Sequence, residues 1–153
     1  MNPLTIYQDA LDVVSQAVLG GDFDSYQAMI DLPYLIHTAK ADLLVSSVPD
    51  LRPTFDALSQ GLRARGITHY ERVARAADYV ARDRIEGRHH THALSNGEPF
   101  AFPHAAGHIL VRRGQRWLFS EARYGMCNAD RWPVTETDLF SDGMAAPRRD
   151  VKA

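Results

Sequence analysis

The sequence predicts an α+β domain in which helices come first and an antiparallel sheet follows. Three observations carry this. Apolar residues recur at three- and four-residue steps as far as Leu62. That period is lost at Ile67. Beyond it, two turn signals, Asn96-Gly97 and Gly114-Gln115, separate runs of extended character.

Taken in order, Ile6, Ala10, Val13, Val14, Ala17 and Val18 form the stripe of a first helix, and Gly20-Gly21 stops it. Asp22 is placed to cap a second helix carrying Phe23, Tyr26, Met29 and Ile30 on one side. That helix is expected to end near Leu32, because Pro33 has no amide hydrogen and restricts the residue before it. Leu35 to Ala39 reads as a short extended segment, and Asp42 to Ser47 as a loop. A third helix begins at Ser47 with Pro49 and Pro53 in its first turns. It buries Leu51, Phe55, Leu58 and Leu62, and Gly66 closes it. Three extended runs follow. Residues 1–140 are expected to form one domain, with 141–153 a loose tail.

Composition narrows the function classes. In 153 residues, 17 Lys and Arg face 19 Asp and Glu, a net charge of −2 that gives no footprint for nucleic acid or anionic membrane. The single cysteine, Cys127, excludes an internal disulfide and a thiolate zinc site. No apolar run approaches a membrane span, and Met1 to Thr5 lacks the start of a signal peptide, so a cytoplasmic protein is expected.

Alternation along the strands sorts the sheet into two faces. If both turns are two-residue loops, His89 opposes His104 and His108 opposes Glu121. One face then carries Gly107, Ile109, Val111, Leu118, Ser120, Ala122 and Tyr124, joined by His90, His92, Ala101 and Ala105. This small, aliphatic set is expected to look inward. The other set, including His104, His108, Trp117, Phe119, Glu121 and Arg123, mixes aromatics with charges and is expected to meet a second copy. A bulge at Pro103 would reverse the face of everything before it, His90 and His92 included.

The helix order, the Gly21-Asp22-Phe23 start of the second helix and the run from Gly107 to Gly125 with its glycine turn resemble the nuclear-transport-factor-2-like superfamily. That superfamily includes SnoaL-like polyketide cyclases, ketosteroid isomerases, scytalone dehydratase and the small subunits of ring-hydroxylating dioxygenases. The resemblance covers roughly residues 4 to 125. It implies a cystatin-like cone, a curved antiparallel sheet wrapping a helix-covered pocket, with the outer sheet face forming a homodimer. It also implies a small apolar ligand and no cofactor. The chain departs from the isomerase pattern at three positions: Gly107 stands where the oxyanion-hole aspartate belongs, Val14 near the helix-one tyrosine and Thr38 near the general base. His90-Thr91 resembles a SnoaL-like histidine-threonine pair without the acid that accompanies it.

Candidate chemistry follows from this frame. His90 and His92, two residues apart on one face, are the expected acid/base pair, because imidazole titrates near neutrality. Tyr26 or Tyr124 would be the donor to a ligand carbonyl, and Tyr26, Ile30, Tyr34, Phe55, Ile109, Ser120 and Tyr124 are expected to line the pocket. His108 and Glu121 read as a surface ion pair rather than a dyad. The histidines between His89 and His108 divide between two faces, so no metal is expected. The expected function is a small-molecule-binding cone, with isomerase, dehydratase or cyclase chemistry if it is an enzyme. The alternative is a non-catalytic subunit resembling the small dioxygenase chains.

Overall fold

The structure is a computed structural model that describes residues 2–37, 42–99 and 104–123. Helix α1 spans Pro3–Gly20. The Asn2 side chain accepts the Leu4 amide at its start, and Gly21, at φ 73°, supplies the left-handed residue that closes it. Its buried stripe is Tyr7, Ala10, Leu11, Val14 and Val18. Helix α2 is only Phe23–Gln27. Its cap, Asp22, accepts hydrogen bonds from the hydroxyl and amide of Ser25, which hold its carboxyl below the usual range.

The expected continuation of α2 to Leu32 does not occur. Ile30 already belongs to strand β1, Ile30–His37, and Pro33 lies inside that strand after a cis peptide bond. Pairing overrides the helical pattern here: the Met29 carbonyl accepts the Phe119 amide at 2.8 Å, and Ile30 lies opposite Phe119. Strand β2, Asp42–Val45, replaces the expected loop and pairs antiparallel with β1 from Tyr34–Val45 to His37–Asp42. Four residues are too short a run for alternation to declare itself. Helix α3, Val48–Ala64, starts at Ser47 as expected, and Gly66 (φ 70°) follows its end.

The remaining strands are β3 (His69–Ala81), β4 (Arg84–Ser95), β5 (Glu98–Pro99), β6 (His104–Arg113) and β7 (Arg116–Arg123). The main sheet runs β2-β1-β7-β6-β4-β3, with β5 beside β4. It is mixed rather than wholly antiparallel, because β1 and β7 run parallel. Both turns hold, with Ser95 opposite Glu98 and Arg113 opposite Arg116. The registers beyond them differ from expectation. His89 opposes Ala106 and Thr91 opposes His104, because β5 and the segment after it intervene before β6. Along β6–β7, Leu110 opposes Phe119 but Ile109 opposes Glu121, so Ser120 is an extra residue in β7 and His108 faces Ala122.

Burial overturns the expected choice of inner face. The helices cover the face that carries Ile85, Gly87, His89, Thr91 and Ala93 of β4, His108 and Leu110 of β6, and Phe119 and Ala122 of β7. Ile109, Val111, Leu118, His90 and His92 belong to the outer face, and among the described residues of the expected inward set only Ala122 lies inside. The larger aromatics fill the core, whereas the charges that made their face look exposed are placed elsewhere. Arg112 sits at the hairpin tip, bound to Asp83, and the extra residue at Ser120 turns Glu121 and Arg123 outward.

Helix α1 also covers the sheet edge. Gln8 donates to the Arg72 carbonyl and accepts the Ala74 amide, both at 2.8 Å, where the β3–β4 ladder slips between Ala74 and Ala76. The substitution Gln8→Ala leaves both backbone groups to water or to nothing. It should destabilise the protein by about 1–3 kcal/mol, read as a lower urea midpoint at unchanged slope.

Candidate functional site

Between α1 and the middle of the sheet lies a buried polar cluster. Tyr7 descends from α1; Tyr70 and Arg72 rise from β3, His89 and Thr91 from β4, and His108 from β6. Alternation puts Tyr70 and Arg72 on one side of β3, and Gly87, His89 and Thr91 on the same side of β4. Tyr7 Oη lies 2.6 Å from His89 Nδ1. A phenol both donates and accepts, so the pair has two forms: the hydroxyl donates to Nδ1 with the His89 proton on Nε2, or Nδ1–H donates to the phenol oxygen with Nε2 unprotonated.

Gly87 lets Tyr7 sit there. A Cβ at Gly87 would lie 2.6–2.7 Å from the Tyr7 ring, so the absent side chain is the space the ring occupies. The His89 and His108 rings stack with centroids 5.2 Å apart and planes 9° from parallel, and Phe119 meets His108 edge-on at 4.6 Å. Arg72 donates to Tyr70 Oη at 2.8 Å, with its guanidinium 4.9 Å from that ring's centre. His108 Nδ1 lies 3.2 Å from the Glu121 carbonyl and donates to it. Burial, with a smaller contribution from the Arg72 charge, lowers the His108 pKa from 6.5 to about 3 despite that bond, so the ring is neutral at neutral pH. Thr91 Oγ1 is buried with no hydrogen-bond partner among the described residues.

The outer face carries a second constellation. His37 lies between Asp42 (Nδ1–Oδ1 2.9 Å) and Glu121 (Nε2–Oε1 3.2 Å), and Arg84 and Arg123 reach the same glutamate at 3.3 and 3.5 Å. Beside it, a groove of about 350 Å³ runs past Glu86, Arg88, Ala105, Gly107, Ile109 and Arg123.

The residues expected from the sequence are distributed as follows. His90 and His92 are half-buried on the outer face, away from α1. Tyr26 and Phe55 pack against each other (centroids 5.1 Å apart), and with Ile30 and Tyr34 they belong to the hydrophobic core. Ile109 lies on the outer face and Ser120 at the β7 irregularity, whereas Tyr124, Thr38 and Cys127 lie outside the described residues. Of the expected dimer face, His108 and Phe119 are buried inside and cannot meet another subunit. Trp117 is half-buried against Tyr79, Glu121 and Arg123 are outside, and His104 is placed by its backbone pairing with Thr91. The sequence reading gives Tyr7 and Arg72 no role, His89 only a register position and Thr91 only a place beside His90. The signal for Tyr7 was its place in the helix stripe with Leu11, Val14 and Val18. For His89 it was the same alternation that selected His90, counted from the other face.

Among the described residues no three or more His, Cys, Asp or Glu side chains converge to hold a metal, and no helix is long and apolar enough to cross a membrane.

No family model and no curated protein matches this chain. Solved structures do. One is a nuclear-transport-factor-2-like protein of unknown function from Shewanella oneidensis, at 9% identity, with 80% of this chain and 98% of the other covered and a TM-score of 0.61. Another is a protein of unknown function with a cystatin-like fold from Nostoc punctiforme, at 10% identity, with 78% and 86% covered and a TM-score of 0.59. A third, from Shewanella frigidimarina, is provisionally assigned as a ketosteroid isomerase, at 13% identity, with 75% and 90% covered and a TM-score of 0.58. The chain is similar to these in fold: it is an α+β cone of the nuclear-transport-factor-2-like and cystatin-like type. The polar groups under its first helix are the largest set of buried polar side chains described above.

Proposed function

We propose that the cone takes up a small, mostly apolar carbonyl compound and moves a proton on it without a cofactor. The observation that carries this reading is the Tyr7–His89 hydrogen bond of 2.6 Å, held in the core beside the Arg72 guanidinium. In such surroundings a phenol and a guanidinium act on developing oxyanion charge far more strongly than in water. In the tautomer whose Nδ1–H donates to Tyr7 Oη, His89 takes a proton from the carbon beside the carbonyl on Nε2 and returns it, and Tyr7 gives its own hydrogen to the ligand. Tyr7 and Arg72 hold the enolate oxygen, Thr91 offers its hydroxyl to the ligand, and neutral His108 fixes the plane of His89 by stacking. Fold analogy supports this reading through the provisional assignment of a structural neighbour as a ketosteroid isomerase.

The test is hydrogen–deuterium exchange beside the carbonyl of cyclic and aryl ketones in D₂O, followed by NMR. The intact protein should accelerate exchange above buffer, and Tyr7→Phe and His89→Gln should each lower the rate by about 10²-fold. Absence of exchange with the intact protein, or exchange in both variants as fast as in the intact protein, overturns the proposal. If, in addition, the chain is isolated with a larger oxygenase subunit, the structural-subunit reading takes its place.

A further inference from the structure

We propose that the outer face of the sheet holds a second ligand site, the groove between Arg88 and Arg123, which takes a small aromatic or alicyclic monocarboxylate. This inference does not rest on the chemistry assigned to the cone, because the sheet separates the two places.

The site is written in the cross-strand register. One row across the sheet reads His37, Arg123, Gly107, Arg88 and Ala76 on β1, β7, β6, β4 and β3. Two arginines therefore flank a residue with no side chain, their backbones two strand spacings apart, about 9–10 Å. Gly107 leaves the space between them open. A Cβ there would lie 3.0 Å from the Gly87 carbonyl oxygen and 3.6 Å from Arg88 Cγ, so any larger residue would crowd the sheet and fill the groove. Ala105 and Ile109, the neighbours of Gly107 on the same face of β6, provide an apolar floor. The volume of about 350 Å³ lies at the small end of the range for ligand sites and suits one or two fused rings.

Charge selects the ligand. Arg88 is exposed and makes no hydrogen bond or ion pair among the described residues, and the Arg123 side chain is 58% exposed. The acid nearest Arg123 is Glu121, which is already shared with His37 at 3.2 Å and Arg84 at 3.3 Å. The guanidinium fork matches a carboxylate in two parallel hydrogen bonds. Glu86 lines the same groove and repels a second negative charge, so the fit is to one carboxylate on an uncharged ring system rather than to a dianion.

Titration of the full chain with 2-naphthoate, followed by calorimetry and by NMR shifts at Gly107 and Ile109, tests this. Saturable binding is expected, with 2-naphthylmethanol failing to compete. Arg88→Ala and Arg123→Ala should each weaken binding roughly tenfold, and Arg88→Lys less, since it keeps the charge and loses the fork. Both arginine side chains project into solvent, so these variants should fold. His89→Gln should leave binding unchanged. Three results overturn the proposal: binding indifferent to both arginine variants; binding lost in His89→Gln, which places naphthoate in the cone; or no binding, with sedimentation showing a dimer that the Arg88 and Arg123 variants dissociate.

Discussion

Acid should destabilise this protein more steeply than it destabilises the His108→Phe variant. In the folded chain His108 is neutral down to about pH 3, whereas in the unfolded chain it takes a proton near pH 6.5. Between those limits the unfolded state binds more protons, so stability falls as pH falls and is recovered as pH rises. At roughly 1.4 kcal/mol per pH unit across that window, the loss reaches on the order of 4–5 kcal/mol, enough to unfold a marginal domain. The variant trades the Glu121 carbonyl contact for a phenyl ring beside Phe119, so its stability at neutral pH should drop modestly. The informative quantity is the slope. Urea midpoints measured from pH 7 to pH 4 should decline less in His108→Phe than in the parent, and contributions from other titrating groups are common to both proteins. Parallel slopes would show that His108 charges within the fold.

The second large effect is expected at Gly87. An added methyl group would stand 2.6 Å from the Tyr7 ring, which is fully buried and has no free direction to yield. Gly87→Ala should therefore cost about 1–3 kcal/mol through overpacking and lift the Tyr7 hydroxyl away from His89. Ketone exchange should fall as far as it does in Tyr7→Phe. The pair also makes a defined double-mutant cycle. In a Tyr7→Ala background the methyl group has room, so Gly87→Ala should then be nearly neutral or compensating, a coupling of about 1–3 kcal/mol. Simple additivity of the two substitutions would mean that the ring is not held where the structure places it.

These expectations concern residues that the sequence only half discloses. The first and third helices, the cap at Asp22 and both glycine turns are local features, set by residues within a few positions of one another, and they were legible. Two things were not. Strand β1 takes Ile30 out of a helical pattern because its partner is β7, far along the chain, and no local rule sees that pairing. The choice of inner face rested on its small, aliphatic composition. Counting from the turns put His90, Ile109, Val111 and Leu118 on one face, as the structure does, because the shift between β4 and β6 is by two residues; the count breaks only at Ser120. Polarity misled as well: a set mixing aromatics with charges reads as an exposed face, whereas His89 and His108 stack in the core beside Tyr7. The fold class could be read from pattern, but the site required register.

The additional residue at Ser120 makes one strand serve two masters. Before it, Phe119 points toward the helices; after it, Ala122 does, and the parity between them is broken. Deleting that single serine would leave every pairing as it is, because Ile109 already lies opposite Glu121 and His108 opposite Ala122. The Glu121 carboxylate would stay outside and the Ala122 methyl group beneath the helices. When kindred chains are superposed strand by strand, a one-residue length difference at this point is absorbed locally, and a count of residues along the strand misassigns faces that the ladder itself preserves.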